Sequence, residues 1–210
     1  MKAWIFAEGY CEVQLMTWLV IHYFPSVIIT KDLSDFLTAD KKYVCYIESC
    51  DSVDRIPHSI NEQSYKINKN KLDSILVVCD VEDLKCPTFR KNKILDKLTS
   101  EVNKDKLKFI FSIPMIEEIY CSEPVLAGTV AGKLCNASQK LIDTHISSLT
   151  SGKGSPKERM KKLFRNLNGN YRETIFSEKF FSQLKYIHSN NKTIKRLIKI
   201  WDEIFPEAKH

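Results

Sequence analysis

Apolar residues in this chain follow two patterns that alternate: short unbroken runs, and longer stretches in which every third or fourth position is apolar. Lys2-Ala-Trp-Ile-Phe-Ala is a run of the first kind. It stops at Glu8-Gly9, where glycine permits a tight passage into an amphipathic helix predicted over Cys11 to Tyr23. Val27 to Thr30 and Tyr43 to Ile47 read as two more strands, separated by a segment opening at Asp32 with Leu33, Phe36 and Leu37 at helical spacing. Ser74-Ile-Leu-Val-Val-Cys, ending at Asp80, is the plainest strand, of the kind buried on both faces of a parallel sheet. After Pro87 a helix is predicted to about Asn103, with Phe89, Ile94, Leu95, Leu98 and Val102 as its stripe, and Leu107 to Ser112 forms the next strand. The alternation predicts an α/β fold built on a mostly parallel, doubly wound sheet flanked by helices. Such sheets place their chemistry outside the carboxyl ends of the strands.

Thr150-Ser-Gly-Lys-Gly-Ser breaks the pattern, and Pro156 is placed to open a helix capped by Ser155. Helices are predicted from there over Lys157 to Leu167, Ser177 to His188 and Thr193 to Phe205. The expected division is therefore an α/β body, residues 1 to 150, and a basic helical extension, residues 151 to 210, packed on it. Charge sharpens this division. From Lys153 onward there are 14 Lys and Arg against 6 Asp and Glu, whereas the first 152 residues hold 18 against 20. An acidic site in front and a polyanion-binding surface behind are expected, with Lys161, Lys162, Arg165, Arg172, Lys195, Arg196 and Lys199 on the nucleic acid. Trp201 falls on the apolar stripe of the last helix and reads as core. The Ser151 to Ser155 segment lacks the spacing of a phosphate-binding loop. Seven cysteines without a CxxC spacing read as reduced, mostly buried side chains. With no long uncharged apolar run and no signal-peptide pattern, a cytoplasmic protein without a membrane span is expected.

Three groups of acids follow predicted strands. Glu8-Gly-Tyr-Cys-Glu12 puts two carboxylates one helical turn apart. Cys79-Asp80-Val-Glu82-Asp83 places three acids in four positions, and Ile113-Pro-Met-Ile-Glu-Glu118 brings Glu117 back toward the same rim. Taken singly, each has an ordinary account as a helix-dipole charge, a cap or a solvated loop. Three at successive strand ends favour a shared divalent cation, because like charges held close repel until a cation lies between them.

A strand-terminal Glu-Gly-x-x-Glu followed by an acid pair after a hydrophobic strand resembles the topoisomerase-primase (TOPRIM) domain, a Rossmann-like fold. The later Ile-Pro-x-Ile-Glu segment and the Ser-Pro-Lys that opens a basic helix are similar to small stand-alone TOPRIM-like proteins that accompany ABC-type ATPases in anti-phage defence operons, relatives of the overcoming-lysogenisation-defect nucleases. The resemblance implies Mg²⁺- or Mn²⁺-dependent cleavage of nucleic acid, with an ABC-type ATPase as partner. A homo-oligomer is also compatible with it. Glu8, Glu12, Asp80 and Glu117 match the family's acids, and the second acid of the pair is Glu82 or Asp83. Glu8 acts as ligand or proton carrier, and Lys157 falls where such nucleases carry a basic residue facing the scissile phosphate. A non-catalytic subunit of an ATPase complex and a primase-like nucleotidyl transferase are the rival readings.

Overall fold

The computed structural model describes residues 1–70, 72–80, 87–112, 116–185 and 192–208. Five strands lie among them, β1 (Lys2–Ala7), β2 (Ile28–Thr30), β3 (Val44–Ser49), β4 (Ser74–Asp80) and β5 (Leu107–Ser112). They form one parallel sheet in the order β2-β3-β1-β4-β5. All of β4 is buried, as is β1 from Ala3 to Ala7, which is why both read as unbroken apolar runs. Burying one aliphatic side chain of this kind stabilises by about 1.5–3 kcal/mol.

The chain reaches these strands through α1 (Tyr10–Tyr23), α2 (Leu33–Thr38), α3 (Ile56–Glu62), α4 (Ser64–Lys69) and α5 (Pro87–Leu95). Helix α5 ends eight residues short of the predicted Asn103. The backbone beyond it is taken by side chains from elsewhere: Asn61 accepts from the Thr99 amide and donates to the Lys97 carbonyl, while Asn68 donates to the Glu101 carbonyl. Leu98 and Val102 stay buried, but Phe89 is 62% exposed and does not belong to the predicted stripe.

Two compact units make up the chain, Met1–Ser112 with Arg196–His210, and Ile113–Lys195. The division does not fall at the glycine-rich break near residue 150. Helices α6 (Glu117–Ser122), α7 (Pro124–Cys135), α8 (Gln139–His145), α9 (Ser148–Ser151), α10 (Pro156–Asn166) and α11 (Glu173–Gln183) belong together, and α10 packs on α6, α7 and α9. Pro156 opens α10 as expected, with Ser155 accepting from the Glu158 amide and the Glu158 carboxylate accepting from the Ser155 amide. The core of this unit is aromatic, with Tyr120 edge-on to Phe176 and Phe180 at 4.9 and 4.8 Å. Helix α11 starts four residues before the predicted Ser177 and stops at Gln183; Tyr186 and His188 lie outside the described residues.

The last helix, α12 (Lys192–Ile204), delivers the carboxyl-terminal segment to the sheet unit. Trp201 is fully buried there, 5.2 Å from Phe205 and 5.6 Å from Phe24. Beyond it, Glu207 accepts from Lys42 at 2.6 Å and from the Tyr43 hydroxyl at 2.9 Å. The described residues after 150 therefore fall in two units and are not one extension. Among the described residues no helix is long and apolar enough to cross a membrane. The described cysteines are free, and all but the half-buried Cys135 are buried; Cys86 lies outside the described residues.

Candidate functional site

Strand β1 leads toward β2 and β3 on one side, whereas β4 leads to β5 on the other, so the chain reverses direction between β1 and β4. Open parallel sheets form their crevice at the carboxyl ends of such a pair. Glu8 follows β1 directly, and its amide donates to the Val78 carbonyl of β4 at 2.8 Å. Its carboxylate accepts from the Asp80 amide at 3.1 Å, which ties the two strand ends together. Arg90, in the first turn of α5, donates from one Nη2 to both Glu8 oxygens, at 3.0 and 3.2 Å. The Arg90 side chain is 13% exposed and that of Glu8 is 24% exposed.

Glu12 lies in the first turn of α1 and is buried, as is Asp80. The turn at Gly9 is tight, since a Cβ there would sit 3.3 Å from the Glu12 carboxylate. Glu12 folds back to accept from the Gly9 amide at 3.0 Å. These bonds join Glu8 to the amide of Asp80 and Glu12 to the amide of Gly9, next to Glu8. Glu82 and Asp83 lie outside the described residues. Arg90 is an addition to the expected set; its only sequence signal is its place in the turn after the acid-terminated strand. Cys79, one residue before Asp80, neighbours both Glu8 and Arg90, and burial pushes its thiol up to about 12.

The other two predicted site residues lie in the second unit. Glu117 starts α6 and is fully buried. Burial first, then the neighbouring Glu173 charge, pushes its carboxyl up to about 7, against the opposing pull of Lys157 and of the Tyr171 hydroxyl. That hydroxyl donates to Glu117 Oε1 at 3.3 Å, while Oε2 is buried with no hydrogen-bond partner among the described residues. Lys157 pairs with Glu173 at 3.3 Å. Tyr171 and Glu173 thus join Glu117 and Lys157, which the sequence patterns do not show. Tyr171, which lies among the basic residues of the chain, spends its hydroxyl on Glu117.

The donors of the crevice are carboxylate oxygens, the type that suits Mg²⁺ or Mn²⁺. Among the described residues no group of three His, Cys, Asp or Glu is arranged to hold a metal ion. Of the residues expected on nucleic acid, Lys161, Lys162 and Arg165 are exposed on α10, opposite the buried Met160, Leu163 and Phe164. Arg172 borders a recess of about 260 Å³ with Phe164 and Ile175. Lys195, Arg196 and Lys199 are exposed on α12, and Arg196 lines a recess of about 440 Å³ with Lys91, Lys108 and Phe109.

No protein-family model and no curated protein matches the chain. Its structure is similar to the solved C-terminal region of the Burkholderia pseudomallei OLD protein, with a TM-score of 0.55 over 96% of this chain and 97% of that one, at 12% identity. At this identity the likeness is one of architecture alone, for a chain whose own fold is α/β with a five-stranded parallel sheet flanked by helices.

Proposed function

We propose that the chain is a divalent-metal-dependent nuclease of TOPRIM type, acting on DNA or RNA beside an ABC-type ATPase in anti-phage defence. The observation that supports this most is the Glu8 carboxylate lying on the Asp80 amide at the reversal point of the sheet. Two acids at the ends of neighbouring strands, with Glu12 a helical turn from Glu8, lie at the sheet edge where ligands of such folds bind. Glu12 and Asp80, with Glu82 or Asp83, are the residues to hold Mg²⁺ or Mn²⁺. When bound, such an ion would supply charge stabilisation at the phosphodiester and acidify a water. Glu8 is the ligand or proton carrier. In the second unit Glu117 and Lys157 lie together with Tyr171 and Glu173. The exposed Lys and Arg of α10 and α12 bind phosphates with little sequence reading.

The Arg90 pair with Glu8 favours a second reading, a binding module without catalysis, because it engages both oxygens of that acid. One experiment separates the two. The purified chain, alone and with the ATPase, is incubated with single- and double-stranded DNA and structured RNA in Mg²⁺, Mn²⁺ or chelator. Cleavage that needs metal and disappears in Glu12→Gln and Asp80→Asn is the expected result. Metal-insensitive binding with no cutting makes it a module, and incorporation of labelled nucleotide makes it a transferase.

A further inference from the structure

We propose that the recess along the outer edge of β5 is a binding track for single-stranded nucleic acid, with Lys91, Lys108 and Arg196 on its phosphates and Phe109 under an unpaired base. This rests on the nucleic-acid reading above and adds the strandedness of the substrate. The first support is the place of the recess. In the order β2-β3-β1-β4-β5 no described strand lies beyond β5, and successive side chains of a strand face opposite ways. Lys108 meets Glu203 of α12 at 3.9 Å, whereas Phe109 lies under Lys91 of α5, with the ammonium 5.5 Å from the ring centroid. The recess of about 440 Å³ therefore wraps the strand edge, with α5 on one face and α12 on the other. All of it belongs to the sheet unit. It reaches Phe111, next to Ser112, the residue that pairs with Asp80, so the track starts beside the strand ends that carry the acids.

The second support is charge. Among the described residues three cations line the recess against one acid, Glu203. The Lys108 pair with that acid is long and its side chains are 34% and 56% exposed, so it contributes little and yields readily to a phosphate. The third is the apolar floor of Leu107, Phe109, Phe111 and Ile200. A duplex turns its phosphates outward and keeps its bases paired, so an apolar floor adds nothing to its binding; unpaired bases use such a floor by stacking. Phe109 and Phe111 are already stacked on each other, with centroids 5.9 Å apart. A cation over a half-buried ring is held weakly, so Lys91 turning to a phosphate uncovers the Phe109 ring for a base. Phosphate capture and base stacking are thereby coupled through one lysine.

The test measures binding by fluorescence anisotropy in chelator, apart from cleavage. The full chain is titrated against a labelled single strand, the duplex of the same sequence and an abasic single strand of the same length. Wild type should prefer the single strand to both of the others by roughly tenfold, the scale of one stacked base. Lys108→Gln combined with Arg196→Gln should make the salt dependence of single-strand binding shallower by about 1.4 in log–log slope, two phosphates at about 0.7 each. The exposed Lys41→Gln should leave it unchanged. Phe109→Leu, checked for folding by circular dichroism, should lose roughly five- to tenfold on the single strand and nothing on the abasic strand. If it does not fold, the double glutamine variant and the abasic comparison decide. Equal affinity of wild type for duplex and single strand, or an unchanged salt slope in the double variant, overturns this inference alone. An acidic peptide that binds more tightly than the single strand makes the recess a peptide surface and overturns it too. Absence of metal-dependent cleavage by wild type, with binding in the recess intact, overturns the nuclease reading and leaves the track standing.

Discussion

Glu8 and Glu117 each lie just beyond a strand, yet the protein treats their carboxylates in different ways. Glu8 keeps 24% of its side chain exposed and receives an amide and a guanidinium. Glu117 is fully buried, receives one hydroxyl, and shares its surroundings with another carboxylate, Glu173. Charge on Glu8 is therefore met by the protein itself, whereas charge on Glu117 is disfavoured until something else neutralises it. The first arrangement suits an acid held in place by donors from two elements. The second suits an acid that changes protonation near neutral pH.

The largest effect that can break this contrast is on cleavage. If the sheet unit carries the reaction, Asp80→Asn and Glu12→Gln should each lower the single-turnover rate by on the order of 10²–10³-fold, the scale of losing a group that stabilises transition-state charge. Loss of rate in Glu117→Gln alone, with both sheet variants active, would reverse the assignment.

Next in size is a dependence of stability on pH that should come from Glu117. Its folded-state value of about 7 lies above the ordinary 4.5, so between those values the folded protein binds more protons than the unfolded chain. Stability from this group is full below about pH 4.5 and is lost as pH rises toward 7. Glu117→Gln should abolish the slope and raise stability at pH 8 by about 3 kcal/mol, since each tenfold change in proton affinity is worth roughly 1.4 kcal/mol. Urea titrations in chelator at pH 5 and 8 measure it, and an unchanged slope in the variant would show that the burial of Glu117 has no electrostatic cost.

Finer resolution comes from the neighbours. Because Glu173 raises the Glu117 value and Lys157 lowers it, Glu173→Gln should move the midpoint of that slope down in pH and Lys157→Met should move it up. Carbonyl-region infrared spectra of the carboxyl follow both, and the same direction in the two variants would reject the charge account.

Both acid groups lie where the apolar runs point, but the contrast between them is hidden in the sequence. The ends of β1, β4 and β5 are legible because each strand's run of apolar residues stops abruptly at an acid or a serine. Arg90 is not legible because its partner lies 82 residues away. Nor does any spacing relate Tyr171 to Glu117, which meet only once the aromatic residues of α10 and α11 have packed. Helix α7 is hard to read because its Val-Leu-Ala-Gly-Thr-Val-Ala-Gly core carries no polar stripe; Gly128 and Gly132 allow Ile142 of α8 to approach closely. The end of α5 falls earlier than its apolar stripe suggests because two asparagines from α3 and α4 capture backbone groups that the helix would have used.

The smallest expected effect concerns a device common to both regions. Glu12 folds back on the Gly9 amide and Glu158 on the Ser155 amide, each three residues into its helix. In the sheet unit the folded-back acid is the proposed ligand Glu12, whereas in the helical unit it secures the turn that carries Lys157. Ser155→Ala should therefore cost about 1 kcal/mol, the usual value of an N-cap, and leave Mn²⁺ binding unchanged. By loosening the turn it should also weaken the hold of Lys157 on Glu173, so the Glu117 midpoint should move in the same direction as in Lys157→Met, by less. A stability loss with no movement of that midpoint would mean that Lys157 is positioned by its ion pair and not by the start of its helix.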